Sequence, residues 1–177
     1  MTLSPRKAIA AWLALVASQV AFAAEIVHQS PQDFLDTALP GCSQKALWLK
    51  ADARAEIEAL IERPFPGVRA RYCDLDGKTA WILDEIGKTE PITSGIVVSR
   101  GQVERVRVLV FRESLGGEVH REAFTRQYQE VALDDRDLLD RNIDGITGAT
   151  MSVSAVNRQV RRALFLDRLV REKQGDS

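Results

Sequence analysis

The sequence predicts an α+β fold: an antiparallel sheet of two hairpins packed against helices, one of them a C-terminal amphipathic helix. Three observations lead there. Two helices are marked before residue 64, one by Ser30-Pro31 at its start and one by apolar residues at helical spacing. The period then changes to two over residues 68–111, with turn residues between the runs. A long helical stripe returns from Ser152 onward. Consecutive strands joined by tight turns must run antiparallel. With 177 residues, 45% apolar and 28% charged, the chain has the balance of a soluble globular protein, which excludes disordered, collagen-like and multi-pass membrane classes. A net charge of −1 leaves no basic excess for gripping a phosphate backbone, so nucleic acid is not an expected partner.

The N-terminus reads as a targeting segment. Arg6 and Lys7 precede an apolar stretch over residues 8–22, interrupted only by Ser18 and Gln19, and no acidic residue occurs before Glu25. Ala21-Phe22-Ala23-Ala24 sets small residues around one large one, as a signal-peptide cleavage site requires. The expectation is a signal peptide over residues 1–23 and export to the periplasm, with cleavage after Ala23 or Ala24. The alternative is an uncleaved anchor in the inner membrane, although the run falls short of the about 20 apolar residues that span the hydrocarbon core. Cleavage leaves 22 Lys+Arg against 25 Asp+Glu in about 154 residues. A domain of that size buries roughly 70% of the surface its unfolded chain exposes, and so folds without a metal or disulfide scaffold.

Residues 24–64 form an N-terminal helical segment. Ser30-Pro31 reads as an N-cap followed by proline at the first helical position, opening a helix that Pro40-Gly41 ends near Leu39. A second helix over residues 51–62 carries Ala53, Ile57, Leu60 and Ile61 at helical spacing, and Pro64 and Pro66 stop it. Cys42 and Cys73 admit two readings in an exported protein: a structural disulfide, or two buried free thiols. A bridge would close a loop of about 32 residues, worth on the order of 3 kcal/mol. With no Cys-x-x-Cys and only His28 and His120 as imidazoles, zinc, c-type haem and iron–sulfur sites have little to be built from. Each histidine reads as a surface residue.

The main domain is expected over residues 65–172, followed by a short tail at 173–177. Strands at 68–73 and 79–86 flank Asp74-Leu75-Asp76-Gly77-Lys78, whose Asp-Gly suits a hairpin turn. Strands at 95–99 and 102–111 meet at Arg100-Gly101. Val106, Val108 and Val110 share one face of the longer strand while Val103 has the opposite parity, which predicts a bulge near Glu104-Arg105. Residues 120–130 look helical with Phe124 and Tyr128 on one stripe, and residues 133–140 look like a short acidic helical turn. From Ser152 onward, Val153, Val156, Val160, Ala163, Leu164 and Val170 define an apolar stripe, with Arg158, Arg161 and Arg162 expected on a solvated face.

Chemistry is expected just ahead of that helix, in Asp144-Gly145-Ile146-Thr147-Gly148-Ala149-Thr150-Met151-Ser152. Glycines and small residues before a helix N-terminus expose unpaired N–H groups at the positive end of the helix dipole, a cradle for a phosphate. The bland alternative is an ordinary helix start capped by Thr150 or Ser152. Asp144-x-x-Thr147-Gly148-Ala149-Thr150 resembles the Asp-x-x-Ser/Thr-Gly-Ala-Thr motif of the FMN-binding domain family. That family includes the periplasmic flavin subunits of Rnf-type and Na⁺-translocating quinone-oxidoreductase complexes, and exported domains of nitrous-oxide-reduction regulators. Likeness extends through Ile82 to Lys88, Pro91 to Val98, Arg112 to Val119 and Phe124 to Tyr128, so that roughly residues 65–165 are covered. Met151-Ser152-Val153 departs from the Thr-Ser that often follows the motif in the quinone-oxidoreductase subunits.

The resemblance implies that Thr150 is esterified to the phosphate of FMN by a separate flavin transferase, with FAD as donor and Mg²⁺ needed only during attachment. Thr147, Gly148 and Ala149 then shape the loop, and Thr147 can donate a hydrogen bond to a phosphate oxygen. Asp144, acidic beside an anion site, either caps the turn or helps to hold Mg²⁺ during transfer. Glu113-Ser114, beside Gly116-Gly117, either meets the isoalloxazine edge or forms a solvent-facing turn. Trp81 either stacks on the flavin or packs in the core. The function implied is an exported electron carrier rather than a stand-alone enzyme, exchanging electrons with a membrane cytochrome or ferric-reductase-like partner. The alternatives are an anchored subunit of an Rnf-type complex, a periplasmic binding or sensory module without covalent cofactor, and a flavin-dependent reductase of a small molecule.

Overall fold

The computed structural model describes residues 25–175, and the expected leader over residues 1–23 lies outside the described residues. Strand β1 (Ile26–Val27) leads into helix α1 (Pro31–Ala38), strand β2 (Ser43–Trp48) and helix α2 (Ala51–Ile61). Four long strands follow: β3 (Arg69–Leu75), β4 (Lys78–Ile86), β5 (Pro91–Ser99) and β6 (Gln102–Phe111). Two 3₁₀ turns (Gly117–His120 and Arg126–Tyr128) flank the four-residue helix α3 (Glu122–Thr125), and the chain closes in helix α4 (Thr150–Gly175). All strand pairings are antiparallel, in the order β1-β6-β5-β4-β3-β2, so the α+β class holds with six strands rather than four.

Local chemistry explains the boundaries. The Ser30 hydroxyl caps α1 by accepting from the Asp33 N–H at 3.1 Å, with Pro31 in the first turn. Helix α2 ends where Glu62 turns left-handed at φ 55°, just before Pro64. The connection from β3 to β4 is tighter than expected, because strand pairing continues to Leu75 and Lys78 and leaves only Asp76-Gly77, at φ 49° and 74°, to turn the chain. Two positive φ angles give the primed turn that matches strand twist, and Arg100-Gly101 repeats it at 52° and 75°.

Strand β6 has two bulges. Val97 pairs with Arg105 and Val98 with Val103, so Glu104 is the extra residue, where the parity of Val103 placed it. Thr93 pairs with Val110 and Ser94 with Val108, so Leu109 is a second. The first bulge turns Val106 and Val108 to the face that Val103 occupies, and the second does the same for Phe111. All four join one apolar core beneath α2 and α4. A smaller core on the other face gathers Phe34 and Leu39 against Cys73, Ala80, Val97, Leu109 and Val110. The Phe34 ring lies so close over Gly95 that a Cβ there would meet it at 2.5 Å.

Several expectations are corrected. Residues 24–64 are not purely helical, since β1 and β2 lie there. Strand β2 is an edge strand whose residues are exposed except for Leu47, so it has no alternating pattern to read. The helix expected over 120–130 is broken into α3 and its flanking 3₁₀ turns. The acidic helical turn over 133–140 is a small loop with a Leu133–Leu139 bridge, in which the Asp134 carboxylate accepts from the N–H groups of Arg136 and Leu138. Side-chain capping of this kind competes with helix formation.

The arginines of α4 do not form a solvated face. Beyond Trp81 strand β4 no longer pairs with β3, and α4 supplies the missing donors. Arg162 donates to the Asp84 carbonyl at 2.6 Å and Arg158 to that of Ile86 at 2.9 Å. Both also pair with buried Glu85. Buried Gln159 donates to the carbonyls of Leu83 and Ile92 and accepts from the Ser94 hydroxyl, each at 2.7 Å. Trp81 is fully buried, its indole N–H donating to Thr79, and belongs to the core. No helix among the described residues is long and apolar enough to cross a membrane.

Cys42 and Cys73 form a disulfide with a Cα–Cα distance of 5.6 Å, tying the link between α1 and β2 to strand β3. Replacing both cysteines by alanine should lower stability by about 3 kcal/mol, read as an earlier midpoint in urea unfolding of the oxidised protein. An unchanged midpoint would show that the bridge constrains nothing that folding does not already fix.

Candidate functional site

The first residues of α4 meet two other segments in a groove of about 290 Å³, lined by Lys88, Glu113, Ser114, Leu115 and residues 148–152. An antiparallel meander explains why they meet. The end of β4, the start of β5 and the end of β6 lie at one end of the sheet, and α4 begins there.

The helix starts without a cap. The Val153 N–H donates to the Ala149 carbonyl at 2.9 Å, which puts alanine, with no polar side chain, in the capping position. The N–H groups of Thr150, Met151 and Ser152 have no hydrogen-bond partner among the described residues. Those donors lie at the positive end of a 26-residue helix whose first residue, Thr150, is exposed. Gly148, at φ 81°, makes the sharp turn into the helix. Thr147 is exposed and Ala149 is buried. Gly116 adopts φ 86°, and a Cβ on it would come within 2.5 Å of the Ser152 Oγ, so only glycine lets residues 114–117 pack on the helix head.

Asp144 is exposed, and its fixed contacts run through its backbone, where its N–H donates to the Gln127 side chain at 2.8 Å. Among the described residues no cluster of His, Cys, Asp or Glu side chains is placed to hold a metal ion.

Glu113 is buried at the wall of the groove, so it does not form a solvent-facing turn. Its carboxylate accepts from the backbone N–H groups of Lys88, Thr89 (2.7 Å) and Glu90 (2.9 Å) and from the Thr89 hydroxyl, and so pins the turn between β4 and β5. Burial opposes its ionisation, but these donors outweigh burial and hold its carboxyl below the usual glutamate range. The pinned turn carries Lys88, whose ammonium has no partner among the described residues. Leu115 and Met151 stand exposed on the other sides of the groove.

Lys88, Leu115, Met151 and the turn-forming role of Gly116 were not read from the sequence. Only the parity of three strands could have brought Lys88 to residues 113–116.

Residues 87–165 match the family model of the FMN-binding domain. This segment is an FMN-binding domain. No curated protein and no solved structure matches the chain. The matched segment opens at Gly87, in the turn pinned by Glu113, and runs into α4, so the FMN-binding domain contains every groove residue named above. These residues fit the cofactor's phosphate end: the helix head carries the Thr150 hydroxyl and three N–H groups without a partner among the described residues, and Lys88 lines the same groove.

Glu113→Gln keeps the shape but removes the charge that three N–H groups share. A carboxyl whose folded pKa lies below its unfolded value stabilises the fold above the unfolded pKa, and loses that contribution as pH falls. The variant should therefore unfold about 1–3 kcal/mol more easily than wild type at neutral pH, with the gap closing below about pH 4. Urea unfolding at a series of pH values measures this; a gap independent of pH would contradict the assignment.

Proposed function

We propose that the protein is an exported flavoprotein that carries FMN as a phosphoester on Thr150 and passes electrons between redox partners at the cell envelope. The observation that carries this reading is the head of α4, where the exposed Thr150 side chain stands beside N–H groups that have no partner among the described residues. Bound there, FMN would supply one- and two-electron chemistry.

The chain's own residues serve position and environment. The unpaired N–H groups and Lys88 offset the negative charge of a phosphate diester. Thr147 can add a hydroxyl donor, Gly148 and Ala149 keep the approach open, and Gly116 holds the facing loop close. Asp144 lies on the entry to the loop, held through Gln127. Leu115 and Met151 offer an apolar surface beside the attachment point. An open groove suits exchange with another protein, such as a membrane cytochrome or a ferric-reductase-like subunit, better than sequestering a small substrate.

Export is supported by the basic, apolar, small-residue order of the first 24 residues. The Cys42–Cys73 disulfide agrees with it, since such bonds persist in oxidising compartments.

Co-expression with a flavin transferase should give a protein that fluoresces in a denaturing gel under ultraviolet light. Thr150→Ala should be dark although it folds. Thr150→Ser keeps the hydroxyl, so any loss there reports the fit to the transferase. A colourless wild-type protein of unmodified mass would overturn the reading, and rapid turnover of a small molecule by the isolated flavinylated protein would replace the carrier role with a reductase.

A further inference from the structure

On the opposite face of the sheet from α4, a cleft of about 270 Å³ is lined by His28, Gln29, Phe34, Thr37, Arg105, Arg107, Val108 and His120. Its charge is one-sided: two arginines and two histidines line it, and no carboxylate does. Neither Arg105 nor Arg107 has an ion pair or hydrogen bond among the described residues, whereas the arginines of α4 are all paired. The protein as a whole is slightly acidic, so this concentration of unpaired cations does not follow from composition.

The bulge at Glu104 creates it. That extra residue turns Val106 and Val108 into the large core, and so aims Arg105 and Arg107 together at the α1 side. The second bulge holds the histidine. The Leu109 carbonyl accepts from the N–H groups of both His28 (2.8 Å) and Gln29 (3.3 Å), which fixes His28 over the cleft. His28 and His120 stack with ring centroids 4.1 Å apart and planes 8° apart. The His120 Nδ1 meets the Gly117 carbonyl, which only accepts, so the neutral ring carries its proton there and Nε2 becomes a donor on protonation. Parallel rings at this spacing cannot both direct a ring nitrogen at one metal ion, because an imidazole binds metal in its own plane.

We propose that Arg105, Arg107, His28 and His120 form a binding site for a small dianionic oxyanion, a phosphate or a short dicarboxylate. Arginine forks bind such groups through paired charge-assisted hydrogen bonds. Gln29 supplies a neutral donor, and the volume lies below that of drug-sized ligand sites. Burial, and then the neighbouring His120, disfavour protonation of His28, and Arg105 and Arg107 face it from β6. Helix α1 presents only Phe34 and Thr37 to the cleft. The neighbouring cleft beyond Arg105 and Arg107 holds Glu122, already paired with Arg126. A bound dianion supplies the missing negative charge and so favours protonated His28; phosphate and succinate take up a proton themselves as pH falls, so the strengthening is read per concentration of dianion. The site is independent of the Thr150 reading.

The chain has two histidines, so its imidazole proton resonances report this cleft directly. Titrating inorganic phosphate, succinate or chloride at matched ionic strength should shift both histidines saturably with phosphate, succinate or both, and not with chloride. Saturation by one alone assigns the phosphoryl or the dicarboxylate class. Arg105→Gln and Arg107→Gln should each weaken binding about tenfold with amide spectra otherwise unchanged. With affinity expressed per concentration of dianion, His28→Asn should keep binding at about pH 7.5 but lose most of the strengthening that wild type shows towards about pH 5.5. Shifts that never saturate, that chloride reproduces, or that survive both arginine substitutions would overturn the site.

Discussion

Helix α4 is held to the sheet by polar anchors as well as apolar ones, and the position of its first residue follows from them. Where β4 outruns its partner β3, the backbone has acceptors without donors, and an unsatisfied buried carbonyl costs on the order of 1–3 kcal/mol. Arg158, Gln159 and Arg162 answer those acceptors at chosen points along β4 and β5. An apolar stripe alone would tolerate sliding by a turn. These hydrogen bonds do not, and with the helix fixed in its long direction, the Thr150 end falls opposite the turn that Glu113 pins.

Two constraints thus converge on one end of the sheet. From the sheet side, a buried carboxylate gathers three N–H groups and leaves the Lys88 ammonium at the rim. From the helix side, an alanine in the capping position leaves three N–H groups open. A serine or aspartate at residue 149 would have satisfied one of them and shielded the helix head. Gly116 brings the two sides together, since any side chain there would collide with Ser152. The FMN-binding domain joins a well-satisfied scaffold to a deliberately unsatisfied end, and the contrast locates the site.

Much of this was legible in residue order. Ser30-Pro31, Asp76-Gly77 and Arg100-Gly101 mark their boundaries by backbone chemistry that acts locally, and the parity of Val103 revealed one bulge. Phe111, whose parity differs from that of Val106 and Val108, carried the signal of the second. The edge strand β2 was not legible, because an exposed edge imposes no alternation. Residues 133–140 misled because the Asp134 carboxylate caps a local turn that competes with a helix, and residues 120–130 because Phe124 and Tyr128 lie at helical spacing across a break between α3 and a 3₁₀ turn. Arg158 and Arg162 of α4 misled for a different reason: their partners are carbonyls of a strand end more than seventy residues away. Of the motif residues, Gly148, Ala149 and Thr150 line the groove and Asp144 and Thr147 do not, while the role of Glu113 as a clamp on its neighbouring turn required the folded register.

The same geometry separates hydroxyls that the motif leaves close in sequence. Thr147 and Thr150 are both exposed, but only Thr150 belongs to the helix whose first N–H groups are open. Trypsin cleavage after Arg141 and Arg158 releases residues 142–158 as one peptide holding both threonines together with Ser152 and Ser154. Tandem mass spectrometry of that peptide, from protein made together with a flavin transferase, tests the assignment most directly. A single FMN adduct on Thr150 is the predicted result; an adduct on Thr147 or on either serine, or an unmodified peptide, would contradict it.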